Sequence, residues 1–389
     1  MPGALEGTLV VALEQAVAAP FATSRLADAG ARVIKLERPE GDFARGYDDY
    51  VHGQSSYFVW NNRGKESCTV DLKQPEDLGL VKAMLAKADV FIQNLAPGAT
   101  ERLGIGSADL RARHSRLVAC DIGGYSPGTP DYERKAYDLL IQAETGLAGV
   151  TGSEASGPTR VGISICDIAT GQAAYAAILQ ALLQRERTGE GSHLQISLFD
   201  TIAEYLNVPY LARRYGGKEP HRVGLAHPSI APYGMFRASD GSILIAIQNE
   251  REWKVFCDEV LADGAMASDP RFERNTARVR HRKELDRCVQ DRLGRFSLGE
   301  LSALLDRVRI AYGRISTMED LAHHPSVTTA EVATPEGVVD LIAPPVIVDG
   351  QRPVLRSVPG LGEHDRALRR EFFGEVDMIE RSMARGIEP

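Results

Sequence analysis

Residues 7–37, GTLVVALEQAVAAPFATSRLADAGARVIKLE, decide the fold. The opening GTLVVALE is short and apolar, as a buried strand is. PFATSRLADAG reads as a helix opened by Pro20 and closed by Gly30, because Pro suits a first helical turn and Gly the position past the last. ARVIKLE is β-branched and strand-like. A strand, a helix and a strand in so short a span form the repeating unit of a parallel sheet.

Working outward, the alternation continues. PEDLGLVKAMLAKA (75–88) has helical spacing, ADVFIQN (88–94) is a strand, SADLRARHS (107–115) a capped helix and RLVACDIGG (116–124) a buried strand. KAYDLLIQAETGLAGV (135–150) and GQAAYAAILQALLQRERTG (171–189) read as helices, and HLQISLFD (193–200) as a strand. This predicts the α/β class, with a parallel sheet covered on both faces. Around residue 210 the texture changes to a Gly-, Pro-, His- and Arg-rich segment that reads as a loop or linker. YGMFRASDGSILIAIQ (233–248) then reads as a β-hairpin turning at SDG, and three helical stretches follow in a smaller α+β unit. The tail holds strand-like VATPEGVVDLIAPPVIV (332–348) and a last amphipathic helix, GEHDRALRREFF (362–373). The expected division is a large domain of residues 1–205 and 325–389, a linker at 206–230, and a small domain with its return linker at 231–324.

With 389 residues the chain exceeds one compact domain by the usual prior, and its net charge of −8 argues against nucleic acid or an anionic membrane as partner. A phosphorylated small molecule needs only a local basic patch. The five cysteines are scattered, without CxxC or a Cys/His cluster of zinc spacing, so no metal is expected and the thiols read as reduced, cytoplasmic ones. The N-terminal stretch lacks the pattern of a secretory signal, and no apolar run of about 18 residues is present to span a bilayer.

The usual nucleotide fingerprints are missing: no GxGxxG follows the first strand, and no GxxxxGK[ST] occurs. GGYSPGTP (123–130) reads as a plain turn. Cations nevertheless recur near strand ends. Arg38 follows VIKLE, Lys73 follows TVDL, Arg102 comes after the turn that ends VFIQN, and Lys135 precedes YDLL. Together they could gather the phosphates of one ligand through charge-assisted hydrogen bonds. In SICDIATG (164–171) a single acid, Asp167, stands among small and apolar residues at the head of the Ala-rich helix. Asp there is commonly an N-cap. Flanked by small residues, it can also be approached by a ligand and serve as a nucleophile.

These segments carry a resemblance. APFATSRLADAGARVIKLERPEGD (19–42), NRGKESCTVDLK (62–73), ADVFIQNLAPG (88–98), KAYD (135–138), SICDIATG (164–171), LLQRERTGEG (182–191) and PGLGEH (359–364) resemble the class III CoA-transferases, the CaiB/BaiF family, in order and spacing. The resemblance implies a doubly wound, Rossmann-like large domain with an inserted smaller α+β domain, two chains interlocking as a homodimer, and coenzyme A or acyl-CoA as substrate beside a carboxylic acid. It implies that Asp167 is the nucleophile, forming a covalent aspartyl-CoA intermediate. It also implies CoA contacts at Val17, Ala18, Arg38, Leu72, Lys73, Asn94, Leu95, Arg102, Lys135, Ala136, Tyr137 and Asp138. Oxyanions formed on the way need aimed N–H donors, and the helix start is expected to hold Asp167 ionised. Racemases of 2-methylacyl-CoA share the family and carry a His near the position of Ala136 and Tyr137; this chain has none there. A CoA-binding protein without turnover, with Asp167 as a mere cap, is the other alternative. FARGYDDY (43–50), HPSIAPYG (227–234) and IAYGRI (310–315) look most like members that handle C4–C5 dicarboxylic acids, such as mesaconyl-CoA transferases. Arg45 and Arg314 would then grip the distal carboxylate, with His52 and His227 as weaker candidates.

Overall fold

A computed structural model describes residues 3–374. The central sheet holds β1 (Leu9–Leu13), β2 (Arg32–Glu37), β3 (Lys65–Thr69), β4 (Val90–Gln93), β5 (Val118–Gly123) and β6 (His193–Ser197). They run in the order β3-β2-β1-β4-β5-β6, and each pair is parallel. This order reverses between β1 and β4, so the crevice at the carboxyl ends of those two strands is where such a sheet takes a ligand.

Alternate residues of each strand feed opposite cores. Val10, Ala12, Val33, Ile92, Val118 and Cys120 pack under α1 (Ala18–Asp28) and the long helix Ile165–Thr188. Val11, Leu13, Ile34, Leu36 and Phe91 face the other way, against Pro75–Leu85, Ser107–Arg113 and the last helix, Asp365–Phe373. Helices therefore cover both faces, and the near-continuous apolar strands follow from that. The last helix returns to the β3 edge, where Asp365 accepts the Thr69 N–H at 2.7 Å and Arg32 bridges Glu66 and Glu371.

The chain divides into two compact units. The first contains the residues up to Leu147, Arg160–Gly216 and the described residues from Thr328 on. The second contains Ala148–Thr159 and Gly217–Val327. In the second, the hairpin Tyr233–Ala238 and Gly241–Ala246 turns at Ser239-Asp240, as its sequence predicts, and Ala311–Gly313 adds a third antiparallel strand. Trp253, Phe256 and Phe272 centre its core beside the fully buried Arg278, whose guanidinium donates to the Ala231 carbonyl at 2.6 Å and the Glu250 carboxylate at 2.6 Å.

Several local expectations change. HLQISLFD is extended only through Ser197, whose hydroxyl accepts the Asp200 N–H at 3.0 Å and opens a helix, Leu198–Tyr205. Residues 135–150 form two helices, Asp138–Glu144 and Leu147–Val150, broken at Gly146, which has φ +88°. The segment expected as a linker from 206 begins with a helix, Asn207–Gly216. The third strand is Lys65–Thr69, ahead of TVDL; its Lys and Glu concealed it from a reading of apolar runs. Among the described residues no helix is long and apolar enough to cross a membrane.

Candidate active site

The site is built where β1 and β4 end. Asn94, just past β4, accepts the Gln15 N–H through Oδ1 and donates Nδ2 to the Gln15 carbonyl, both at 2.9 Å. This reciprocal pair ties the two exit loops together at the switch point. Gln93 accepts the Leu95 N–H at 2.7 Å and donates to Asp121 at 3.0 Å. Asp121 also accepts from Ser107 and contacts His193, each at 2.6 Å. The Asn94 side chain and the Leu95 backbone are thus fixed.

The loop after β1 leads through Val17, the N-cap position, to Ala18, the first residue of α1, both buried. Helix Ile165–Thr188 crosses α1 there. A Cβ on Gly171 would come within 2.4 Å of the Ala18 carbonyl oxygen, so only Gly permits the crossing. Asp167 lies one helical turn before Gly171 and so shares its face.

Asp167 is not the N-cap. Ser164 holds that position without a side-chain cap bond, and Asp167 stands in the first turn. The capping work falls to Asp138, whose Oδ1 accepts the Cys166 N–H at 2.7 Å while Oδ2 accepts Gln142 Nε2 at 2.7 Å. Gln142 Oε1 in turn accepts the Val161 N–H at 2.8 Å, anchoring the chain that enters the helix. Nor does the helix start keep Asp167 strongly acidic. Burial first, and the Asp138 charge second, push its carboxyl up to about 7. Tyr47 is half exposed, and its partial desolvation, with the Asp42 and Asp167 charges next, pushes its phenol up to about 12. Tyr47 is held edge-on by Tyr57, with ring centroids 5.4 Å apart.

The four cations follow neighbouring strands. Arg38 comes after β2, Lys73 after β3, Arg102 closes the short helix Ala99–Arg102 after β4, and Lys135 lies past β5; all are exposed. Arg38 donates to the Gly41 carbonyl at 3.1 Å. Leu72 is half-buried against the second core, and Ala136 packs on the first, within 2.3 Å of where a Cβ on Gly124 would stand. Tyr137 is exposed.

The dicarboxylate candidates fare differently. Arg45 is committed elsewhere: Nε and Nη2 each donate to Glu37 at 2.8 Å, and the guanidinium stacks on Phe58 at 3.6 Å. Burial would raise Glu37, but Arg45 and Lys35 hold it down at about 2. His52 sits with φ +53° in the tight turn Val51–Gln54, exposed. Arg314 and His227 belong to the second unit; Arg314 is exposed, and His227 stacks on Tyr233 with centroids 5.2 Å apart.

Unforeseen is a buried charge cluster behind the β1 loop. Lys35 meets Asp42 at 2.8 Å and Glu14 at 3.5 Å; Lys65 meets Glu14 at 2.7 Å; all four side chains are sealed from solvent. Thr23 donates to the other Glu14 oxygen at 2.6 Å. The sequence did carry a signal. In VIKLE, Lys35 and Glu37 alternate with Ile34 and Leu36, so in a doubly covered sheet they must be buried and therefore paired.

Comparison with known proteins decides the family. The model of CoA-transferase family III matches residues 5–365. The chain belongs to this family. It is an enzyme, a CoA-transferase, and such enzymes take CoA thioesters as substrates. It is 34% identical over 377 residues to an acetyl-CoA:oxalate CoA-transferase of Acetobacter aceti, covering 95% of this chain and 96% of that one. It is 33% identical to a mouse succinyl-CoA:glutarate CoA-transferase, covering 98% and 90%. The crystal structure of a CAIB/BAIF family protein from Brucella suis superposes with a TM-score of 0.81 at 33% identity, over 96% of this chain and all of that one.

Proposed function

We propose that this CoA-transferase moves CoA between carboxylic acids through a covalent intermediate on Asp167. The Asp167 carboxylate attacks the acyl-CoA carbonyl and expels CoA thiolate, leaving a mixed anhydride. The thiolate attacks the Asp167 carbonyl and releases the donor acid as carboxylate, giving an aspartyl thioester. The acceptor carboxylate attacks that thioester, and the same steps in reverse deliver its CoA ester. The observation that carries this reading is the state of Asp167. It is partly buried, not spent on capping, and pushed up to about 7, so its anion is poorly stabilised and reactive. CoA would run along the exits of β1 to β5, past Val17, Ala18, Asn94, Leu95, Leu72 and the Ala136–Asp138 segment, with Arg38, Lys73, Arg102 and Lys135 on its phosphates.

The acceptor is proposed to be a dicarboxylic acid. The curated relatives above are named for oxalate and glutarate, and the sequence segments cited resemble mesaconate-handling members. With Arg45 bound to Glu37, Arg314→Ala is the variant that tests an arginine-held distal carboxylate. The working form is proposed to be an interlocked homodimer. Helix Asn207–Gly216 buries none of its residues and exposes Val208, Tyr210, Leu211 and Tyr215, as a surface awaiting a second copy would.

Mass spectrometry of protein quenched after mixing with succinyl-CoA alone tests the mechanism. A CoA adduct on the Asp167 peptide is expected, converted to a hydroxamate by hydroxylamine. Transfer at the native rate by Asp167→Asn would overturn the reading. A panel of carboxylates offered with succinyl-CoA then identifies the acceptor.

A further inference from the structure

The buried cluster behind the β1 loop does more than satisfy itself. Asp42 Oδ1 accepts the Ala16 N–H at 3.1 Å and the Ala44 N–H at 2.9 Å. Its other oxygen accepts from Lys35 at 2.8 Å, and Lys35 also reaches the Glu14 carbonyl at 3.4 Å. Lys35 and Asp42 thus grip the backbone on both sides of Gln15. Ala16 has φ +61°, the left-handed region that costs an L-residue with a side chain free energy. Such a conformation persists only where its surroundings enforce it. The residues it directs are Val17 and Ala18, and Ala18 touches the helix that carries Asp167. Tyr47, which feels the charges of both Asp42 and Asp167, links the two neighbourhoods independently.

We propose that Asp42, clamped by Lys35, is a positioning residue for the transfer reaction: it holds Ala16 in the left-handed conformation and so fixes the β1-to-α1 backbone against the Asp167 reaction centre. Asp42 touches no reacting atom. Its effect passes through Ala16 to the first amides of α1, of which Ala18 and Ala19 precede the first intrahelical donor, Phe21, with Pro20 between having no N–H. N–H donors are worth most to a developing oxyanion when they are already in place. The proposal rests on Asp167 as the nucleophile.

The test is rescue. Asp42→Ala is expected to lower kcat about 30-fold, with KM for succinyl-CoA changed less than about threefold, because backbone aim rather than CoA binding is lost. Adding Ala16→Gly should return kcat by about tenfold, since Gly enters the left-handed region without the steric cost. Urea titration of each variant separates aim from stability. Full kcat in Asp42→Ala overturns the proposal, and so does a loss in folded protein that Ala16→Gly leaves unchanged. Should Asp42→Ala fail to fold, Ala16→Val keeps the cluster intact and disfavours the same backbone conformation. Lowered kcat at unchanged KM is then expected, and native kcat overturns the proposal. Asp167→Asn run alongside separates the two readings. Transfer by that variant overturns the nucleophile and this proposal together, whereas inactive Asp167→Asn beside fully active Asp42→Ala overturns this proposal alone.

Discussion

Two groups of acids in the first unit are treated in opposite ways. Glu14 and Asp42 are sealed from solvent, and each has a lysine within 2.8 Å. Asp138 and Asp167 lie in the first turns of two helices, and the charge that acts on Asp167 is that of Asp138. Asp138 is satisfied by the Cys166 amide and the Gln142 side chain, and its charge then weighs on Asp167. The first group shows how a protein removes charge from water at tolerable cost: it pairs every ion and satisfies the remaining lone pairs. In the second the neighbouring charge is another carboxylate, which with burial raises Asp167, as suits the nucleophile proposed for it. The first is architecture and the second the proposed chemistry, and the first also holds the backbone on both sides of Gln15.

The difference can be broken most completely at Asp167. Asp167→Asn should reduce transfer by about four orders of magnitude or more, as loss of a nucleophile does, while succinyl-CoA binding measured by calorimetry persists. The same variant should be more stable than the native protein at alkaline pH. The folded-state value near 7 lies above the ordinary 3.8, so the native protein holds the extra proton between those limits and loses stability as pH rises through them. The Tm advantage of Asp167→Asn should therefore be full at pH 8 and vanish near pH 4. An advantage that grows toward acid would contradict the assignment.

Breaking the compensated group should damage stability instead. Lys35→Met leaves Asp42 and Glu14 short of a partner inside the protein, a loss of about 3–5 kcal/mol in urea unfolding. Lys→Met at exposed Lys73 should fall within about 0.5 kcal/mol of the native protein. Equal costs at the two positions would mean that the cluster is not what holds this edge of the sheet.

A subtler change sharpens the comparison. Asp138→Asn keeps an oxygen for the Cys166 amide and removes the charge beside Asp167. The acid limb of the kcat/KM profile, expected near pH 7 because the nucleophile must be ionised, should move to lower pH. An unmoved limb would assign the shift to burial alone.

The smallest effects belong to the exposed cations. Arg38→Ala, Lys73→Ala and Lys135→Ala should each raise KM for acyl-CoA by about three- to tenfold, with the effect shrinking in added salt. Unchanged KM in all three would make them ordinary surface charges.

Outside β3, the strand-helix alternation was legible because a parallel sheet covered on both faces demands short apolar strands, and LVVAL, VFIQ and VACDIG meet that demand without help from distant residues. Asp167 and the cations stood out in the sequence by type and local setting, and the roles proposed for them rest on the measurements above. The sequence alone also announced a lone acid at a helix start, but not which acid caps that helix: only the tertiary structure brings Asp138 from 28 positions away to take the Cys166 amide. In the same way it decided that Arg45 pairs with Glu37, and that Lys35 and Lys65 are core residues. The physical reason is shared. Hydrophobic periodicity is written along the chain. Which charge answers which depends on distances across the sheet, and burial sets how strongly each pair counts.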